Sequence, residues 1–156
     1  MTGKTHIMGG IASTVAISHF YTYEPVMFII AGAIGGIIPD ICHGGSKIGR
    51  KFPLISRVVN TIFGHRTFTH SLLFLVLMNL VLSLFINNQS IITGLLVGMV
   101  SHFVLDAATK KGIKLLYPLQ FTIRFPLSIK TGGQMETLIL LALTLVTIYY
   151  GRLVVL

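Results

Sequence analysis

Two short motifs carry side chains that could hold a metal ion. In SHFVLD, His102 and Asp106 lie four residues apart, so on a helix their side chains project from the same face. In HRTFTH, His65 and His70 lie five residues apart and can share a site if a helix begins between them, near Thr67. Imidazole nitrogens and carboxylate oxygens together suit Zn²⁺, Mn²⁺ or Fe²⁺. The two motifs therefore predict a metal site.

Three further residues are candidate ligands because each stands at the end of an apolar segment. Asp40 follows Pro39, where the chain can turn inward, His6 opens the first segment and Glu136 opens the last. The combined set offers more donors than one ion needs, so one or two ions could bind. The predicted ligands are His6, Asp40, His65, His70, His102, Asp106 and Glu136.

A metal centre of this kind could support hydrolysis. It lowers the pKa of bound water to about 7 and so supplies a nucleophile. Asp106 or Glu136 could act as a general base, and Arg66 could stabilise developing negative charge. Simpler roles are open as well: Glu136 could be a solvated acid favoured by the helix dipole, and Arg66 a charge that only sets membrane orientation. His19 is assigned to packing or to the membrane interface.

Apolar helices must position these residues. The chain of 156 residues is 53% hydrophobic and 10% charged, with a mean hydropathy of +0.85, whereas soluble domains are about a quarter charged. Several continuous apolar runs approach the roughly 20 residues that a membrane-spanning helix needs. We predict one domain over residues 1–156, an all-α polytopic membrane helical bundle with about five transmembrane helices. The predicted helices cover residues 5–22, 25–41, 67–87, 90–108 and 135–156, with long polar connections at 42–64 and 109–134.

The Lys and Arg distribution sets the predicted orientation. Both long connections are rich in bases, while the connections at TYEP and NNQS hold none, so the basic ones and the N-terminus are expected in the cytoplasm. The candidate ligands then gather at the cytoplasmic face. If the short first helix lies in the interface instead, the N-terminus lies outside and the other helices keep their orientation. No A-x-A cleavage site follows the N-terminal stretch, so we expect it to be retained.

The motifs resemble those of the LexA-regulated, membrane-bound metal-dependent hydrolases of the inner membrane. The shared features are an early His in THIMGG, the PD of GGIIPD, HRTFTHS, SHFVLD and a Glu after a Gly pair in GGQME. They run from residue 6 to residue 136 and so cover nearly the whole chain. The resemblance implies a divalent-metal site with the seven ligands named above, hydrolase activity and an inner-membrane location.

The resulting hypothesis is a membrane-embedded hydrolase whose metal site, with zinc as the first choice and manganese or iron as alternatives, faces the cytoplasm. It would cleave an ester or phosphoester bond of a lipid, as a phospholipase or lipid phosphatase does, with Lys110, Lys111 and Lys114 holding an anionic headgroup. The net charge of +8 is attributed to loops and lipid contacts, with no nucleic-acid partner. A divalent-metal transporter, a metal-binding membrane protein without catalysis and a structural membrane protein remain open as alternatives.

Overall fold

The structure, a computed structural model, describes residues 1–20, 24–64, 66–126 and 129–155. Over these residues the chain is helical, with isolated β-bridges but no β-strand, which confirms the predicted all-α class. Short 3₁₀-turns lie at Ile38–Cys42 and Phe68–His70. The α-helices of the described part are α1 (Gly3–Ser18), α2 (Pro25–Gly35), α3 (Lys47–Lys51), α4 (Pro53–Phe63), α5 (Leu72–Phe85), α6 (Gln89–Ala107) and α7 (Gln134–Val155).

Three helical segments of the described chain are long and apolar enough to cross a membrane. They are Pro25–Cys42, Gln89–Ala107 and Gln134–Arg152. The apolar helix α5 has 14 residues and α1 has 16. At about 1.5 Å per residue, both are shorter than a hydrocarbon core about 30 Å thick. Length and hydropathy therefore support three full spans, with α1 and α5 as shorter helices beside them.

Local sequence explains where several helices begin. Pro25 lies in the first turn of α2, where its missing N–H leaves no helical hydrogen bond unmade. Asn88 caps α6 by accepting a hydrogen bond from Ile91 N at 3.1 Å. Ser71 caps α5 in the same way, accepting from Phe74 N at 3.2 Å. Because Ser71 is the cap, α5 begins at Leu72 and not at the predicted residue 67.

Helix α6 lies at the centre of the bundle, against α1, α2 and α5, and α7 packs against α1. Glycine permits the closest approaches. A Cβ at Gly98 of α6 would lie 2.2 Å from the carbonyl oxygen of Gly32 in α2, and one at Gly10 of α1 would lie 2.1 Å from the same oxygen. Such small residues let helix backbones meet inside membranes. The tight packing of α1, α2 and α6 holds together the helices that carry most of the polar candidates.

The connection over residues 42–64 differs from the prediction. It was predicted to be polar, but it contains α3 and α4. Helix α4 buries Ser56 and exposes an apolar face formed by Leu54, Ile55, Val58 and Ile62. An exposed apolar face of helical period suits a helix that lies in the membrane interface. The bases around this face made the segment resemble a polar loop.

The connection over residues 109–134 folds over the ends of α5 and α6. Leu72 N donates to Leu115 O at 2.9 Å, and Phe125 N donates to Ala107 O at 3.0 Å. The described part of the segment also exposes large apolar side chains at its tip. These are Leu116, Leu119 and Phe121. Such a mixture of bases and exposed apolar groups is typical of a segment at a membrane surface.

Candidate metal centre

Four of the predicted ligands meet at one point. Asp40, His70, His102 and Asp106, the four-donor group, each offer one donor atom, and these atoms all lie within 4.8 Å of one another. The side chains of His70, His102 and Asp106 are fully buried, whereas that of Asp40 is 14% exposed. Two imidazoles and two carboxylates form a donor set that can hold a divalent metal ion.

The distances between the donor atoms suit a shared ion. His102 Nε2 lies 3.1 Å from His70 Nε2, 3.7 Å from Asp106 Oδ2 and 3.8 Å from Asp40 Oδ1. His70 Nε2 lies 3.5 Å from Asp106 Oδ2 and 4.0 Å from Asp40 Oδ1. Ligands bound at about 2.0–2.1 Å around a tetrahedral ion are about 3.4 Å apart. The observed separations lie on both sides of that value.

Both histidines are oriented through their other ring nitrogen. His102 Nδ1 lies 2.8 Å from the carbonyl oxygen of Gly36, and because a carbonyl only accepts, Nδ1 carries the proton. His70 Nδ1 lies 3.0 Å from the hydroxyl oxygen of Thr69. Each ring therefore turns Nε2 toward the other donors, the usual arrangement of a metal-ligating histidine. Neither partner was predicted from the sequence, although Thr69 stands directly before His70 in the motif.

Breaks in the helices bring the donors together. Helix α2 ends at Gly35, and the 3₁₀-turn Ile38–Cys42 then carries Asp40. Pro39 in that turn has no N–H to continue an α-helix. The second 3₁₀-turn ends at His70, directly before the Ser71 cap. Helix α6 instead runs unbroken to Ala107, so the spacing of four residues does place its two donors on one face.

Positively charged and histidine side chains surround Asp106. Arg66 Nη2 lies 2.9 Å from Asp106 Oδ2, and Arg66 Nη1 donates to Thr109 Oγ1 at 2.8 Å. His6 Nε2 lies 3.2 Å from Asp106 Oδ1, and the amino group of Met1 donates to the same oxygen. His6 and Arg66 thus border the four-donor group at Asp106, although neither belongs to it.

His6 Nδ1 is buried and makes no hydrogen bond within the described part of the chain. His6 Nε2 and Asp106 Oδ2 are also buried, but each has an ionic partner, Asp106 Oδ1 at 3.2 Å and Arg66 Nη2 at 2.9 Å. The His6 ring stacks on His102, with ring centroids 3.7 Å apart. A buried polar atom without a hydrogen bond costs about 1–3 kcal/mol, and the four donors converge beside His6 Nδ1. The residues present fit a divalent cation.

His70 lies in a 3₁₀-turn outside the candidate spans. Burial disfavours its charged form, but hydrogen bonding to Asp106 and Cys42 and the electrostatic attraction of both outweigh burial, so the pKa of His70 is raised. A metal ion must compete with the proton for this imidazole. Metal binding at the site is therefore coupled to pH.

Besides His6, two predicted ligands are not in the four-donor group. His65 lies outside the described residues. Glu136 Oε1 accepts from Thr2 N at 2.5 Å and from Thr5 Oγ1 at 2.6 Å, while Oε2 accepts from Gly132 N at 2.7 Å. These bonds tie the start of α1 to the start of α7. A role for Glu136 as ligand or general base stays a prediction, with no described contact to the four-donor group.

A cavity of about 450 Å³ opens beside Asp40. One wall is the start of α1 and the other is the chain between residues 37 and 50. Basic side chains that were not predicted to bind substrate line it: Lys4, Lys47 and Arg50. Asp40, the partly exposed donor, therefore faces a space large enough for a substrate group.

The lysines predicted to hold a headgroup lie elsewhere. Lys111 and Lys114 line a cavity of about 140 Å³ together with Arg66, and Lys110 is exposed. Arg66, which lines this smaller cavity, also contacts Asp106. The headgroup role of these lysines stays a prediction.

The fold and the site define a helical membrane protein with a buried His/Asp cluster that can hold a divalent metal ion. The chain belongs to the YdjM inner membrane protein family, which it matches over residues 1–155. It is similar to YvsG of Bacillus subtilis (strain 168), with 55% identity over 150 residues that cover 96% of this chain and 94% of YvsG. The inner membrane protein YdjM of Escherichia coli (strain K12) is 33% identical over 157 residues, covering 92% of this chain and 79% of YdjM. No solved structure matches the chain.

The family supports the membrane part of the resemblance noted from the motifs. An inner membrane protein is among the relatives, and the apolar helices of this chain agree with such a location. Regulation by LexA, hydrolase activity and the side of the membrane that the site faces stay predictions.

Proposed function

We propose that this protein is a metal-dependent hydrolase that cleaves an ester or phosphoester bond of a lipid at the cytoplasmic interface. The observation that carries the proposal is the convergence of the four-donor group beside an open cavity. A cluster that served packing alone would have no reason to bury the titratable side chains of His6, His70, His102 and Asp106 against one another, because burying such groups is costly. Zinc is the proposed metal, because it accepts mixed imidazole and carboxylate ligands.

The side chains around the centre have separate roles in this proposal. A divalent cation held by this donor set would lower the pKa of bound water to about 7 and would polarise an ester or phosphoryl oxygen. Arg66 is held in place by Asp106 and Thr109, so its positive charge is fixed beside the centre, where negative charge develops during hydrolysis. His6 Nε2 lies 3.2 Å from Asp106 Oδ1 and can take up or return a proton there.

The position of the site in the helices supports a lipid substrate. His102 and Asp106 lie in the last two turns of α6, which is long and apolar enough to span a membrane. Asp40 lies near the end of another such segment, Pro25–Cys42. The amphipathic helix α4 packs against the 3₁₀-turn that carries Asp40. A site between the ends of spanning segments and an interfacial helix lies at the depth of lipid ester and phosphate groups.

Metal content and lipid turnover of the purified protein in detergent test the proposal together. We expect one or two equivalents of metal and turnover of labelled phospholipid or phosphatidic acid, with both lost in His102→Ala and turnover lost on chelation. His19→Ala is the matched control, because His19 follows the far end of α1 and its Nε2 lies 3.2 Å from Tyr150 O.

The alternatives give different results. Stoichiometric metal without turnover of any lipid would indicate a metal-binding protein without catalysis. Flux of divalent cations into proteoliposomes, abolished by the same substitution, would indicate a transporter. A folded protein that takes up no metal would contradict the proposal.

A further inference from the structure

The cavity beside Asp40 is lined by positive charges from two parts of the chain. Lys4 comes from the start of α1, and Lys47 and Arg50 come from α3. We propose that this cavity binds the phosphate group of the substrate, with these three side chains as its ligands. The inference rests on the proposed hydrolase function and names its substrate class, a phosphate ester.

The acidic residues of the chain leave these bases available. Of the four acids, Glu136 is bound by groups at the starts of α1 and α7, and Asp106 lies in the four-donor group. Glu24 directly precedes α2, at the end away from Asp40. Asp40 is the one acid among the residues described as lining the cavity, and a bound cation would neutralise it. The described ion pairs include none of Lys4, Lys47 and Arg50.

The surrounding structure holds the bases near the candidate centre. Ser46 caps α3 with its hydroxyl and donates to the backbone carbonyl of Asp40 at 2.8 Å. The helix that carries Lys47 and Arg50 is therefore attached to the backbone of a donor residue. A Cβ added at Gly3 would lie 3.8 Å from Lys47 Cδ, so the Lys47 side chain reaches across to the start of α1. An anion held by both walls lies next to the exposed edge of Asp40.

Charge and volume together favour a phosphate group over a neutral ester. Positive charges that line a concave space raise the local concentration of anions, and Arg offers paired donors that match phosphate oxygens. The volume of about 450 Å³ lies within the range of small-molecule sites, about 300–1,000 Å³. A neutral ester would leave the three bases without a ligand.

Arg124 and Lys130 provide a matched comparison. Like Arg50 and Lys47 they are one arginine and one lysine, both exposed, but they do not line the cavity beside Asp40. Arg124 Nη1 donates to Lys110 O at 3.3 Å. The double variants Lys47→Gln/Arg50→Gln and Arg124→Gln/Lys130→Gln each remove two positive charges, so they separate a local effect from a change in net charge.

Binding of phosphate to the metal-loaded full chain tests the inference without requiring turnover. One arm uses inorganic phosphate with protein in detergent. The other uses nanodiscs of phosphatidylcholine with and without phosphatidic acid. We expect Lys47→Gln/Arg50→Gln to weaken binding at least about tenfold, because it removes two charge-assisted contacts. We expect Arg124→Gln/Lys130→Gln to stay within about threefold of wild type. Metal content is measured in every variant and is expected to be unchanged.

Each outcome decides the inference. If Lys47→Gln/Arg50→Gln alone weakens the binding of both inorganic phosphate and phosphatidic acid, the cavity binds the phosphate group itself. If it weakens the binding of phosphatidic acid alone, the ligand is a lipid phosphate. Equal effects of the two double variants, or no effect of either, would overturn the site. Selective loss of phosphate binding in a protein that hydrolyses no lipid would leave this site intact while contradicting the proposed hydrolase function.

Discussion

Replacement of Thr69 by Val tests whether His70 is oriented as a metal ligand. Thr69 is 2% exposed, and its hydroxyl oxygen lies 3.0 Å from His70 Nδ1, a normal hydrogen-bond length. Val has nearly the same shape as Thr but cannot make this bond. Loss of such an orienting bond typically reduces metal affinity about 10–100-fold, which corresponds to about 1.4–2.8 kcal/mol.

The assay is competition for Zn²⁺ with a chromophoric chelator, combined with thermal unfolding of the metal-free protein. Thr14→Val is the control, because Thr14 is fully buried in α1 and its hydroxyl donates to Gly10 O at 2.9 Å, away from the four-donor group. Both variants should lose roughly 1 kcal/mol of unfolding free energy, but only Thr69→Val should lose metal affinity. Unchanged affinity in a folded Thr69→Val protein, or an equal loss in Thr14→Val, would refute the assignment of His70 Nε2 as a ligand.

Three further outcomes are expected. Gly98→Ala should lower the free energy of unfolding by about 1–3 kcal/mol, because its Cβ would lie 2.2 Å from the Gly32 carbonyl oxygen. In the same denaturation assay Gly151→Ala, with no atom within 4 Å of its Cβ, should not lower it, because Ala favours the helix over Gly. Asp106→Asn should abolish stoichiometric metal binding measured by elemental analysis, because an amide is a poor ligand for zinc, and retained metal would remove Asp106 from the site. Metal affinity should fall as the pH drops through the raised pKa of His70, because protons then compete for the imidazole; chelator competition between pH 5 and 8 measures this, and a pH-independent affinity would contradict ligation by histidine.

The sequence was sufficient to predict the parts of the site that depend on local geometry. The spacing of His102 and Asp106 fixes them on one face of any helix, and α6 is unbroken through both. Asp40 was predicted to turn inward because Pro39 precedes it, and the 3₁₀-turn Ile38–Cys42 does so. Apolar runs likewise predicted the three long spans among the five expected, because membrane insertion depends on length and hydropathy.

The sequence was not sufficient where a contact joins distant parts of the chain. Glu136 looked like a ligand because it opens an apolar helix, but its described bonds go to Thr2, Thr5 and Gly132. The orienting carbonyl of Gly36 carries no signal in sequence, because every residue has one. Helix α4 was missed since its apolar face is short and interrupted by polar residues. From the sequence, Lys47 and Arg50 were interpreted only as charges that set the membrane orientation, because the pattern does not show that α3 lies beside Asp40.

The charges at the centre connect the proposed metal with the proposed anion. Asp40 and Asp106 contribute two negative charges, and Arg66 contributes one positive charge at 2.9 Å from Asp106. With a divalent cation bound and neutral histidines, this set is net positive even before the Met1 amino group at Asp106 is counted. A net positive centre in a low-dielectric setting attracts an anion strongly, and the cavity that reaches it is lined by Lys4, Lys47 and Arg50. Metal loading should therefore precede and strengthen phosphate binding. The same positive charge argues against a cation transporter, because a second cation that entered the site would be repelled.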